Sequence, residues 1–306
     1  MSQANEGEAP GSAEVAGDYA ALRSEVGAVW LDRDFLKVKG PDTFSWLQGQ
    51  LSQDVSALSV GGSAESFLLQ PQGKVDAMVR VTRTDDDEAV IDVDGGFGGA
   101  VAERLNRFKL RVKADLEELD WRCLALRGPK AHDLVPITGA VVDADWPDLP
   151  GLDVIGVEPG VPEDVRLCGD EAWQAVRIEA GIPVMGAELT ERTIPAEAGV
   201  VERTVSFTKG CFTGQELVAR IDSRGGNVAR HLRGVVVAGD LVPPVGAAVV
   251  VEGKETGSLT SVARSPERGA PVALAYIRRD VVPPADCEVR WEGGQASARI
   301  ETLPLA

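Results

Sequence analysis

Apolar and polar residues alternate in short runs through the first part of the chain, and the period changes to three and four where helices are expected. Val29 through Phe35, Leu36 and Val38 reads as a strand that stops at Gly40-Pro41. Asp42 then caps a short helix with apolar positions Phe44, Leu47 and Leu51, and Gln48, Gln50 and Asp54 lie on or just beyond its polar side. Phe67 to Leu69 and the turn Pro71-Gln72-Gly73 lead into Val75, Ala77, Val79 and Val81, which alternate with Asp76, Arg80 and Thr82. This pattern predicts a hairpin with one buried face. After a turn at Asp85 to Glu88 and a strand at Ala89 to Val93, the glycines 95, 96, 98 and 99 introduce a helix with Val101, Leu105 and Phe108 on one side. The glycine run matches neither the dinucleotide fingerprint nor the P-loop, and is expected to be a flexible joint. A strand at Arg122 to Leu126 and a short helix at Lys130 to Leu134 follow.

Antiparallel hairpins interleaved with helices predict an α+β fold rather than a doubly wound sheet. Past Arg230 no long helical period survives. Short β-rich runs at Leu232 to Val237, Ala247 to Glu252, Val272 to Tyr276 and Cys287 to Trp291 are separated by turn signals, so residues 231–306 are expected to close into a small β-barrel, which leaves no exposed strand edge. The α+β region then spans residues 19–230, with the Pro-rich acidic stretch 143–162 an irregular segment that could divide it into two subdomains. Residues 1–18 are too poor in large apolar side chains to support a core, and read as a disordered acidic tail.

Composition narrows the function classes. At 306 residues, 44% apolar and 26% charged, the chain has the make-up of an ordinary globular protein of about two domains. No apolar run approaches the ~20 residues that cross a bilayer, so no membrane partner is expected. The start of the chain lacks a secretory signal, which points to the cytoplasm. A formal net charge of -17 argues against a generic binder of phosphate backbones, so no direct nucleic-acid partner is expected either. Cys123, Cys168, Cys211 and Cys287 form no C-x-x-C pair and read as reduced thiols. With only His132 and His231 beside them, no self-contained metal site is expected.

The segment Lys209-Gly210-Cys211-Phe212-Thr213-Gly214-Gln215-Glu216 concentrates the chemistry. Glycines bracket the thiol, as where a chain turns sharply or lets a ligand approach its backbone. Thr213 and Glu216 stand at capping-box spacing, which predicts a helix from Gly214 through Arg220 with Cys211 just outside its start. The helix dipole and adjacent Lys209 would favour a thiolate there. The competing reading is an inert thiol beside a helix cap, with Glu216 and Arg220 simply paired on the helix surface.

Lys209 to Arg220, KGCFTGQELVAR, resembles the signature of the folate-binding YgfZ family, in which the position of Phe212 is commonly Tyr. Arg224-Gly225-Gly226-Asn227 and Arg230 resemble its continuation, and Ala180-Gly181-Ile182-Pro183, Ile194-Pro195, Leu47-Gln48-Gly49-Gln50-Leu51, Asp54-Val55 and Gln72-Gly73-Lys74 resemble other family segments in the right order. The resemblance covers roughly residues 28–300. It implies the architecture shared with the glycine cleavage T-protein: an aminomethyltransferase-like, folate-binding α+β portion around a central cavity, followed by a small β-barrel. It also implies tetrahydrofolate as cofactor and a role in assembly or repair of 4Fe-4S enzymes, including those that modify tRNA, so that iron-sulfur enzymes or cluster-assembly proteins are the expected partners. Cys211 would be the functional thiol, with Lys209, Gln215, Glu216 and Arg220 around it. Arg177 and Glu179 in Arg-Ile-Glu-Ala-Gly resemble a folate-region segment of the T-protein, and with Asp76 and Gln48 are the expected folate contacts, the competing account of Arg177 and Glu179 being a salt bridge on a helix surface. A carboxylate suits a pterin because it accepts hydrogen bonds from the ring amine and N–H.

The main alternative is a folate-dependent aminomethyltransferase. Where the T-protein pattern carries two adjacent aspartates after the hairpin turn, this chain has Asp76 followed by Ala77, so a residue such a transferase would be expected to use is missing. A cysteine hydrolase pairing Cys211 with His231 or His132 is the third reading, but the chain carries no hydrolase local signature.

Overall fold

The structure, a computed structural model, describes residues 12–134 and 139–305. Its first elements are α1 (Ser12–Ser24), β1 (Gly27–Leu31), β2 (Arg33–Lys39), α2 (Thr43–Gln50), β3 (Ser63–Leu69), β4 (Val75–Asp85), β5 (Glu88–Asp94), α3 (Gly98–Arg107), β6 (Asp115–Leu119) and β7 (Arg122–Arg127). Next come β8 (Ala140–Asp143), β9 (Gly151–Gly156), β10 (Arg166–Leu167), α4 (Asp170–Ala180), α5 (Pro195–Ala198), α6 (Val201–Thr204) and α7 (Gln215–Asp222). The strands β11 (Arg230–Val237), β12 (Ala248–Val251), β13 (Lys254–Ser265), β14 (Ala270–Arg278), β15 (Ala285–Trp291) and β16 (Gly294–Glu301) end the chain.

Two five-stranded sheets make the α+β part, one ordered β10-β1-β7-β9-β8 and the other β3-β4-β5-β2-β6. A single residue, Asp32, connects β1 of the first sheet to β2 of the second. The six strands from β11 onward form a closed barrel in the order β11-β14-β13-β12-β15-β16, with an apolar interior that includes Val235, Val249, Leu259, Ala275, Val289 and Ile300. Helix α4 joins the parts. Its Ile178 packs with Leu232, Val272 and Leu274 of the barrel, while Ala172, Ala175 and Val176 pack against Tyr19 and Leu22 of α1.

The structure corrects several expectations. Part of the expected tail is ordered: residues 12–18 begin α1, and residues 1–11 lie outside the described residues. Val15, Tyr19 and Leu22 recur at helical spacing along α1, and buried Asp18 accepts from Arg166 at 2.5 Å and from the Gly169 amide at 2.8 Å. The segment 143–162 is not wholly irregular, because β9 lies within it as an interior strand of a sheet, between β7 and β8. Residues 79–82 of β4 are buried on both faces, Arg80 and Thr82 included. Phe108 falls just past α3 and is exposed. The glycine run is a close-packing turn rather than a loose joint, since a Cβ on Gly95 would meet the Asp32 carboxylate and one on Gly98 the side chain of Asp34.

Candidate functional site

A cavity of about 370 Å³ opens where the two sheets meet α4. Trp30 and Arg33 enter it from the β1–β2 crossover, Met78 and Arg80 from β4, Arg127 from β7, Trp146 and Asp153 from around β9, and Trp173 and Arg177 from α4. Its size falls in the range of small-molecule sites, and its walls combine aromatic rings with charged groups.

Those charges form one chain across the seam between the sheets. Arg33 holds Asp94 at 2.7 Å and Asp92 at 2.6 Å. Arg80 grips both oxygens of Asp92, at 3.0 and 3.1 Å, and reaches across to Asp153 at 2.5 Å. Asp153 is held from its own sheet by Arg127 at 2.7 Å. Three arginines and three aspartates thus alternate and cancel. Burial alone would push the Asp153 carboxyl up, but the guanidiniums of Arg127 and Arg80 overcome that and hold it well below the usual carboxylate range. These paired charges tie the shape of a polar wall to the pairing of the two sheets, while Arg33 Nε, Arg127 Nε and Asp153 Oδ1 are buried without a hydrogen bond.

Arg177 lines the cavity, yet its donors are engaged. They go to Gln174, to the carbonyl of Ile182 at 2.8 Å, to Glu188 at 3.4 Å and to Ser261 of the barrel at 2.9 Å. Glu188, fully buried, also accepts from Thr260 and Ser261 at 2.6 Å each and from the Val184 amide. This node fastens the cavity wall to the barrel. Glu179 lies two residues from Arg177, hence on the other side of α4, where it accepts from Tyr19 at 2.7 Å and does not line the cavity.

The Cys211 loop lies elsewhere. Lys209 donates to the carbonyls of Gln48, Leu51 and Gln53 at 2.7, 2.7 and 2.9 Å, satisfying the open C-terminal end of α2. Burial pushes its ammonium down to about 8, with Asp54 pulling the other way. Phe212 is buried in the core of the second sheet. Between these two anchors Cys211 is exposed. The expected capping box is not made: α7 begins at Gln215, and its cap is Gly214 in the left-handed region at φ +81°. A Cβ on Gly214 would strike the Gln70 carbonyl at 2.6 Å, and one on Gly73 would strike Leu217 at the same distance, so the β3–β4 turn and α7 pack glycine to glycine. The segments around Gln48, Gly73 and Cys211, far apart in the chain, therefore form one structural unit.

Arg177 alone among the expected folate contacts reaches the cavity. Asp76 pairs with Arg104 at 3.0 Å beside α3. Gln48 orders the turn after α2, accepting from the amides of Val55 and Ser56 and donating to Asp54. Gln215, Glu216 and Arg220 lie along α7, and Glu216 and Arg220, both exposed, do not pair with each other. Lys209 is committed to carbonyls rather than to the thiol. Cys211 does not line the cavity, so thiol and cavity are separate sites. Among the described residues no cluster of histidine, cysteine or carboxylate side chains is arranged to hold a metal ion, and no helix is long and apolar enough to cross a membrane. Sequence reasoning missed the Arg33–Asp92–Arg80–Asp153–Arg127 network. Its signal was faint, because Arg80 shares its strand face with Asp76 and Thr82 and so reads as solvent-facing.

A cavity-bearing α+β region of two sheets, joined through one helix to a closed six-stranded barrel, is the fold of the glycine cleavage T-protein. The GCVT N-terminal domain matches residues 8–152 and the glycine cleavage T-protein C-terminal barrel domain matches residues 230–306, which makes the chain a member of an aminomethyltransferase-like, folate-binding family. The solved glycine cleavage system aminomethyltransferase T from Bartonella henselae shares the fold, with a TM-score of 0.82 over 95% of this chain and 89% of that one at 19% identity. The aminomethyltransferase of Streptomyces avermitilis is 26% identical over 85% of this chain and 80% of its own length. The tRNA-modifying protein YgfZ of Klebsiella pneumoniae is 28% identical over 88% of this chain and 89% of its own.

Proposed function

We propose that this protein binds tetrahydrofolate, or another reduced folate, in the central cavity, and that Cys211 serves as a separate functional thiol supporting assembly or repair of 4Fe-4S enzymes, tRNA-modifying ones among them, in the cytoplasm. One observation carries the reading: Cys211 is exposed on an anchored loop that does not line the cavity. A thiol placed so can meet a macromolecular partner, whereas a thiol acting on the cavity's ligand would have to face it. The likeness of Lys209 to Arg220 to the YgfZ signature supports the same reading.

The cavity suits a folate in kind. Trp30 and Trp173 offer flat apolar surfaces for a ring, and polar groups stand among them. It suits one-carbon transfer less well. Asp94 and Asp153 are held by arginines, Glu65 is held by Arg203, and Ala77 leaves the second aspartate of the T-protein pattern absent. The aminomethyltransferase reading is favoured by relatives of that name, such as the Streptomyces avermitilis protein that matches over most of its length.

Calorimetry with tetrahydrofolate is expected to give micromolar-range binding, and absence of heat at millimolar ligand would remove the folate reading. Cys211→Ser is expected to bind folate as the wild type does, yet to fail to restore iron-sulfur enzyme activity in cells lacking the protein. Full restoration by Cys211→Ser, with measurable one-carbon transfer by the purified wild type, would replace the accessory reading with the transferase.

A further inference from the structure

Carboxylates on the cavity wall are neutralised or bonded one after another. Asp94 and Asp153 are held by arginines, Glu65 by Arg203, and Asp170 accepts from Gln174 at 3.1 Å. Among the described cavity-lining carboxylates, Asp32, exposed at the rim, alone has neither a hydrogen bond nor an ion pair on its side chain. It occupies the one-residue crossover between the two sheets, and its backbone carbonyl is fixed by the Gly95 amide at 3.0 Å.

Position 95 has been left empty for that carboxylate. A Cβ on Gly95 would lie 2.3 Å from the Asp32 carboxyl carbon and 2.4 Å from each oxygen, and nothing in the backbone at Gly95 otherwise demands glycine, because its φ is outside the left-handed region. Gly95 also lines the cavity. Trp30, two residues before Asp32, supplies an aromatic wall beside it, and Arg122 stacks on the Trp30 ring at 3.8 Å.

We propose that Asp32 is the recognition carboxylate of the cavity, accepting hydrogen bonds from adjacent N–H donors on a flat nitrogen heterocycle. This rests on the folate reading, in which those donors are the amine and ring N–H of the pterin, and gives Asp32 the role that Glu179 cannot perform from the other side of α4. Both Asp32 oxygens are free, so two donors side by side can be taken bidentately, and such charge-assisted pairs are the strong members of their class. Asp32 is exposed in the free protein, so only a bound ring would cover it, and an analogue lacking the amine then leaves one covered oxygen unmatched, which is how a site rejects a ligand missing a donor.

Calorimetry on the full-length chain tests this with tetrahydrofolate and with an analogue lacking the ring amine. Asp32→Asn keeps the shape and removes the charge. It is expected to weaken tetrahydrofolate binding by about 10- to 100-fold while changing binding of the analogue much less. Gly95→Ala, which displaces the carboxylate without removing it, is expected to weaken tetrahydrofolate binding in the same direction. Wild-type affinity in Asp32→Asn, within about twofold, overturns the assignment even if Gly95→Ala fails to fold. Equal weakening for both ligands overturns it too, because a role confined to holding the crossover would not distinguish them. Absence of binding by the wild type is a different result, and removes the folate reading itself.

Discussion

The cavity and the Cys211 loop both rest on buried cations, used in opposite ways. In the cavity, Arg33, Arg80 and Arg127 interleave with Asp92, Asp94 and Asp153, so charge is cancelled by charge across the join of two sheets. In the loop, Lys209 forms no ion pair among the described residues and is held by three backbone carbonyls at the end of α2. The first arrangement places fixed polar groups around a space. The second stiffens a backbone so that the next side chains diverge, Phe212 into the core and Cys211 into solvent. Shape and ligand recognition are therefore tied to stability in the cavity, while the thiol of the loop is free of it.

Breaking the network should have the largest effect. Asp153→Ala leaves Arg80 and Arg127 buried without a shared partner, and should destabilise the fold by about 3–5 kcal/mol, measured by denaturant unfolding. Acid probes the same bond without mutation. The Asp153 carboxyl is held below its unfolded value of about 3.9, so its contribution is fully present above that pH and is lost as pH falls toward the folded value. Unfolding free energy should decline below about pH 4, and less steeply in Asp153→Asn. Equal acid sensitivity in the two proteins would mean that other carboxylates carry it.

Lys209→Met comes next. It strips three carbonyls at the end of α2 of their donor, which should cost about 1–3 kcal/mol. If Lys209 is a clamp rather than an activator of the thiol, alkylation of Cys211 should persist in this variant. Loss of Cys211 reactivity with stability intact would reverse that assignment and erase the contrast with the cavity.

Much of the architecture was legible in periodicity, because hairpins and barrel strands bury alternate residues and announce it locally. The missed features depend on what packs across a gap. Arg80 reads as the polar side of a hairpin until Asp153, 73 positions away, arrives from the other sheet. Val15, Tyr19 and Leu22 are too few to declare α1 on their own and gain meaning only against α4. The motif around Cys211 was plain as a string, but its capping-box reading failed because Gly214 packs against Gly73, a contact that local spacing does not contain. Arg177 and Glu179 look like one pair in sequence, and the helical turn sends them to different sides.

The smallest stability effect is expected at Cys211, and it decides whether the two regions are independent. An exposed thiol with no buried contact has little to lose, so Cys211→Ser should leave unfolding free energy within about 1 kcal/mol of wild type. The other three thiols differ. All are buried, and burial raises the thiol of Cys123 and pushes those of Cys168 and Cys287 up to about 11, so little thiolate forms at neutral pH. Iodoacetamide on the folded protein at pH 8 should therefore label Cys211 first, with the other three reacting only on unfolding, as peptide mass spectrometry would resolve. Addition of tetrahydrofolate should leave the Cys211 rate unchanged, because the thiol does not line the cavity. A Cys211 rate that falls as ligand saturates would couple the two sites and overturn their separation, and Cys123 labelling ahead of Cys211 would remove the loop as the seat of thiol chemistry.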